Sequence, residues 1–147
     1  QWMRGATLFP SNMALAATAD TSLAYEQGRI TALEARALGV HITFSPVMDI
    51  NNNPDNPIIN FRSYSDNPET VARFGIAFIQ GAQEHGLIAC AKHFPGHGDT
   101  VVDSHLDLPV VEKEAPELEE VELAPFRAAI DAGVVTTNTS FSASLLA

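Results

Sequence analysis

Leu87-Ile-Ala-Cys-Ala91 runs directly into Lys92-His-Phe-Pro-Gly-His-Gly-Asp-Thr-Val-Val-Asp-Ser-His-Leu-Asp-Leu-Pro109. A short apolar stretch of this kind reads as a buried strand, and the polar connection after it is far longer than the ~2–6 residues that usually join strand to helix. The segment that precedes it has the same form. His41-Ile-Thr-Phe-Ser-Pro-Val47 is rich in β-branched and aromatic residues and reads as a strand, and Asp49 to Asp66 is crowded with Asn, Pro and Asp and reads as loop.

Helical segments alternate with these strands. Asp20 is placed to cap a helix reaching Gly39, with Leu23, Ile30, Leu33 and Ala37 near one face. Asn67-Pro-Glu69 has the form of cap, first-turn proline and acidic first turn. It opens a helix through Val71, Phe74, Phe78 and Ile79 that ends at Gly86. Pro116 opens a third helix through Leu118, Val121, Phe126 and Ile130, closed by Gly133, and Val134 to Thr139 resembles a further strand. Lys92 to Glu114 reads as largely irregular, and Glu112 to Glu122 as a solvated face.

Helices and buried strands in turn imply parallel crossover units, in an open doubly wound sheet or a barrel. Long polar loops at the carboxyl ends of strands are how barrel enzymes build their sites, so a (β/α)8 TIM-barrel type of α/β fold is expected. A complete barrel takes roughly 250 residues. About three strands are visible in this chain of 147, so it is expected to cover only about the first half of one. Both ends read as cut: Gln1-Trp-Met-Arg4 is no initiator, and Phe141 to Ala147 stops without a cap.

Composition narrows the function. The 8 Lys and Arg stand against 18 Asp and Glu, a formal charge of -10, and such a surface repels nucleic-acid backbones. With 46% hydrophobic residues the chain can bury a core. No apolar run approaches the ~18 residues that cross a bilayer, and no signal peptide opens the chain. The single cysteine, Cys90, lies between alanines on a strand and reads as core.

Three of the five histidines, His93, His97 and His105, fall within Lys92–Pro109, interleaved with Asp99, Asp103 and Asp107. Gly96 and Gly98 permit unusual backbone angles around His97. In Asp103-Ser-His105 the carboxylate can accept from one ring nitrogen and leave the other to exchange a proton with a substrate, or the pair can simply pin the loop. His97/Asp99 and Asp103/His105 are also ligand pairs suited to Zn or Mn, which would make a metal-dependent hydrolase, although no second His-rich segment completes a cage. Pro95-Gly-His-Gly98 is not a phosphate-binding P-loop. Arg62, just before a helix, could clamp a polar substrate group or form a surface ion pair. Asp49, straight after a strand, is a ligand contact or a turn former.

These residues resemble the hallmark of glycoside hydrolase family 3, in its β-N-acetylglucosaminidase branch. That pattern reads Lys-His-Phe-Pro-Gly-His-Gly-Asp-Thr, then Asp-Ser-His, then Leu-Pro, and every position is kept from Lys92 to Pro109. Phe9 to Leu15, Glu34 to Gly39, Ser45 to Asp49, Asn56 to Ile59 with Arg62-Ser63, and Leu123 to Phe126 agree as well. Residues 1–147 would then be part of the family's amino-terminal barrel domain.

The resemblance implies a retaining glycosidase that removes terminal β-linked N-acetylglucosamine, typically from peptidoglycan fragments. His105 would be the general acid/base and Asp103 its partner. Lys92, His93 and Arg62 match sugar-binding positions, and Arg4 matches a further arginine near the pocket. No cofactor and no resident metal are expected. The partner is a carbohydrate, with neither nucleic acid nor membrane, and cytoplasmic recycling of cell-wall sugar is the expected setting, an exported form being the alternative. Imidazole in place of a carboxyl acid/base would not repel an anionic acceptor, so phosphate could compete with water.

The family's nucleophilic aspartate lies on a later strand, and no Asp follows Asp131 here. Where the family has a Met-Thr-Ala-His-like run, this chain has Val135-Thr-Thr-Asn-Thr-Ser140. The isolated polypeptide is therefore expected to be inactive, or to act as a sugar-binding fragment, and to self-associate through an unpaired sheet edge.

Overall fold

The computed structural model describes residues 5–100 and 115–139. The elements in chain order are α1 (Asn12–Ala16), α2 (Thr21–Ala37), β1 (Ile42–Thr43), α3 (Pro68–Gln83), β2 (Ile88–Phe94), α4 (Ala115–Glu120), α5 (Ala124–Asp131) and β3 (Thr136–Thr139), with one 3-10 turn at Asn60–Arg62. The strands are parallel and lie side by side in the order β1-β2-β3. The principal helices follow the same order, α2 against α3 and α3 against α5. One row of helices along one face of a sequentially ordered parallel sheet is the arrangement of a barrel wall, whereas a doubly wound sheet carries helices on both faces. The fold is α/β of the TIM-barrel type.

Local signals set the helix starts. The Asp20 carboxylate accepts from the Ser22 N–H, and the Asn67 side chain accepts from the Thr70 N–H just before Pro68. Gly86, at φ +79°, takes the chain out of α3 into β2. The apolar face read for α3 is the buried one, with Val71, Phe74, Phe78 and Ile79 all inside. Met48, Phe78, Ile79, Ala89, Ala91, Phe126 and Ala129 form the core between sheet and helices. A second cluster of Leu15, Ala24, Ile50, Tyr64, Val71 and Phe74 seats α1 and the loop after β1 on α2 and α3.

Several expectations are corrected. In α2 the buried residues are Ala24, Gly28, Ala32 and Ala35, while Leu23 and Leu33 are 41% and 48% exposed. The reason is close packing: a Cβ on Gly28 would strike the Phe78 carbonyl, and one on Gly81 the Tyr25 carbonyl. The helices meet backbone to backbone, so the face at the contact must be the small one. Strand β1 is only Ile42–Thr43, with a single further bridge from Val47 to Lys92, because Pro46 has no N–H for the ladder. Strand β2, conversely, continues through Lys92 and His93 to Phe94, so these residues are strand rather than irregular loop. The third helix is two helices, since Pro125 in the first turn of α5 cannot continue α4. Glu122, between them, is buried and hydrogen-bonded rather than solvated, and Ile130 is exposed.

The Gly28 contact gives a measurable expectation. Alanine normally gains up to ~1 kcal/mol over glycine inside a helix. Here its methyl would meet rigid backbone, and overpacking of that kind costs about 1–3 kcal/mol. Gly28→Ala should therefore lower the urea midpoint; an unchanged or raised midpoint would show that the helices can separate without loss.

Candidate active site

The loops at the carboxyl ends of β1 and β2 are tied together by one buried carboxylate. Asp49 is wholly buried. Its Oδ1 accepts the His97 N–H at 2.8 Å and its Oδ2 lies 2.7 Å from His93 Nδ1. The His93 N–H points between the two oxygens, 3.2 Å from each. Asp49 is thus neither a simple turn former nor exposed for ligand contact; it gathers donors from the following strand. The rings of His93 and His97 meet edge to face with centroids 6.0 Å apart, and the Thr100 hydroxyl is 2.7 Å from His97 Nδ1.

A second buried side chain fixes the turn itself. Asn56 Nδ2 donates to the carbonyls of His97, Gly98 and Thr100 at 2.8, 3.1 and 2.9 Å. Its Oδ1 accepts the N–H groups of Ile58 and Ile59. Gly96 has φ +139°, as the reading of an unusual backbone requires. Gly98 does not share that feature; it is glycine because a Cβ would fall on the Ile50 carbonyl. The Glu122 carboxylate accepts from Asn52 at 3.0 Å and covers Gly96.

Arg62 and Lys92 line one cavity of about 270 Å³, together with Ser11, Asn12, Ser45, Val47 and Phe61. Arg62 forms no ion pair with a carboxylate among the described residues. Its Nη1 donates to the Ile58 carbonyl, and the Asn12 amide holds its own carbonyl at 2.8 Å. Helix α1, absent from the sequence reading, supplies that clamp; the signal was Ser11, whose hydroxyl caps it. Burial pushes the Lys92 ammonium below the usual lysine range, the Arg62 charge adds to this, and the Asp49 carboxylate opposes it. Two cations lining one cavity favour an electron-rich, oxygen-bearing ligand.

A larger cavity, about 710 Å³, lies beneath the loop of residues 51–66 and touches none of the site residues read from the sequence. Cys90 is buried core, and burial pushes its thiol up. No three His, Cys, Asp or Glu side chains converge as a metal site among the described residues. No described helix is long and apolar enough to cross a membrane. Arg4, Asp103 and His105 lie outside the described residues.

A parallel β/α wall with a polar cavity and a histidine-bearing turn at its strand ends defines a barrel-type α/β domain. The chain belongs to glycosyl hydrolase family 3: residues 1–143 match that family's N-terminal domain. Beta-hexosaminidase A of Pseudoalteromonas piscicida is 40% identical over 135 residues, covering 86% of this chain and 22% of that protein. A glycoside hydrolase family 3 beta-N-acetylglucosaminidase structure from Paenibacillus sp. str. FPU-7 superposes with a TM-score of 0.89 at 48% identity, over 93% of this chain and 27% of that one. A beta-glucoside phosphorylase structure superposes equally, TM-score 0.89, at 37% identity over 92% of this chain and 24% of that one. The chain thus spans about a quarter of the length of these relatives.

Proposed function

We propose that this chain is the acid/base and sugar-contacting part of a retaining β-N-acetylglucosaminidase that acts on β-linked N-acetylglucosamine, peptidoglycan fragments being the natural substrate class. The observation that carries the reading is the shared cavity of Arg62 and Lys92 at the end of β2, beside the Asp49-held His93. The unbroken Lys92–Pro109 pattern supports it, as do the relatives' names.

In this reading the two cations and His93 hold sugar hydroxyls. His105, oriented by Asp103, protonates the leaving oxygen while a carboxylate from outside these 147 residues attacks the anomeric carbon. The same imidazole then takes a proton from water as the glycosyl-enzyme breaks down. Arg4 would contribute a further contact near the sugar.

The test is turnover by the whole protein that contains this chain. A chromogenic β-N-acetylglucosaminide should be cleaved, far faster than the corresponding β-glucoside. Absence of cleavage would overturn the reading. Product analysis in phosphate buffer separates the acceptors: free sugar alone marks a hydrolase, and sugar phosphate a phosphorylase.

Lys92 makes a pH prediction. Its charged form holds the sugar, and its pKa is lowered, so the charge is complete below that lowered value and lost as pH rises through it. Affinity for N-acetylglucosamine, followed by calorimetry, should fall at lower alkaline pH than an ordinary lysine would cause. Lys92→Met should bind weakly and without that pH dependence; a mutant retaining the wild-type profile would remove Lys92 from the sugar site.

We also propose that the edge of β1 left unpaired among the described residues, where Ile42 and, just past the strand, Phe44 are exposed, pairs with another strand. Light scattering on the 147-residue polypeptide should then show species larger than a monomer.

A further inference from the structure

We propose that Asp49 is a positioning residue of this site, holding His93 in one ring orientation with its proton on Nδ1, and through the His93 and His97 backbone keeping Lys92 and the histidine turn in register. The inference rests on the proposed sugar site and deepens it. Nothing in the local sequence requires this role of Asp49, which is an ordinary polar residue after a short strand.

The geometry is specific. A carboxylate is an acceptor only, so a ring nitrogen 2.7 Å from Oδ2 carries hydrogen, in the neutral and the cationic imidazole alike. Asp49 is fully buried, while the His93 side chain keeps 18% of its exposure. A buried carboxylate requires several donors, and here the ring N–H and two backbone N–H groups supply them. Those donors come from two points on the following strand and turn, so one side chain sets both the ring and the path of residues 93–97. The Asp49 charge also favours the charged form of Lys92, the neighbour that lines the cation cavity.

Asparagine at Asp49 cannot reproduce this. It offers one oxygen and one amide N–H2. With the oxygen on the His97 N–H, the amide faces the ring, and His93 keeps a hydrogen bond there only by moving its proton to Nε2, the opposite tautomer. Loss of one charge-assisted hydrogen bond corresponds to about a ten- to hundredfold change in affinity. Asp49→Asn should thus raise KM by about that factor, with kcat changed less.

A purely structural role would also weaken activity, so the decisive readouts lie elsewhere. In the wild-type whole protein, 15N-histidine NMR, with His93 assigned by the His93→Ala spectrum, should show a protonated Nδ1. Either the neutral Nδ1–H form or an imidazolium supports the proposal; a bare Nδ1 overturns it. In a double-mutant cycle, Asp49→Asn should raise KM much less in a His93→Ala background than in wild type. Fully additive effects would overturn the proposal. The nitrogen spectrum needs no substrate, so it judges Asp49 even if no N-acetylglucosaminide is turned over, a result that would instead sink the functional reading.

Discussion

On the proposed mechanism, alanine at His105 in the whole protein that contains this chain is expected to lower kcat by about 10²- to 10⁴-fold, the usual contribution of a positioned general acid/base. With a poor leaving group, where formation of the glycosyl-enzyme limits the rate, KM should move far less, because in the proposed site other groups hold the sugar. With an activated substrate KM should fall along with kcat as the intermediate accumulates. The loss should depend on the leaving group. A good leaving group departs without protonation, so glycosyl-enzyme formation from an activated aryl glycoside should be largely spared. Breakdown of that intermediate still needs a base to activate water. The variant should therefore show a burst and then slow turnover, and a small anionic nucleophile that needs no base should restore the rate. Asp103→Asn should act in the same direction through loss of the partner that orients the ring. Undiminished turnover in His105→Ala would remove the imidazole from the chemistry and leave the cation pocket as a binding site only.

The second large effect is structural. Asn56 joins five backbone groups of two loops, three carbonyls on one side and two N–H groups on the other. Alanine would leave these groups to water or to none, and each buried polar group left unsatisfied costs about 1–3 kcal/mol. Some will find water as the loop loosens, so a net loss of about 2–4 kcal/mol is expected in denaturant unfolding. Aspartate is the sharper probe. It retains the oxygen that serves Ile58 and Ile59, but turns a second oxygen toward the carbonyls of His97, Gly98 and Thr100. Asn56→Asp should be at least as damaging as Asn56→Ala, and binding at the proposed sugar site should weaken with it, because the same turn supplies the His97 N–H that holds Asp49, the partner of His93. A stable Asn56→Asp protein would show that these carbonyls do not depend on the amide.

Several features were legible because their causes are local. A capping side chain acts two or three residues ahead, as Asp20 does for Ser22 and Asn67 for Thr70, and Gly86 ends a helix by its own backbone angle. The α3 face follows from helical spacing alone. The break at Pro125 was equally local, yet the continuous apolar pattern on both sides hid it. The Gly28 contact was hidden for another reason: apolar residues suggest which face is buried, but a close helix crossing buries the smallest face instead.

By itself, then, the sequence determined the alternation of strands and helices, their caps, the long loops that favour a barrel and the residues of the Lys92–Pro109 pattern. Only the tertiary structure decided which side chains hold the site together. Asp49 and His93 stand 44 residues apart, Asn56 and His97 41, and Asn52 and Glu122 70. The first two pairs meet because the parallel register of β1 beside β2 brings successive strand ends to one rim, and the third because the link between α4 and α5 packs over the loop after β1. Hydrogen bonds are short-ranged, and no pattern along the chain encodes that meeting.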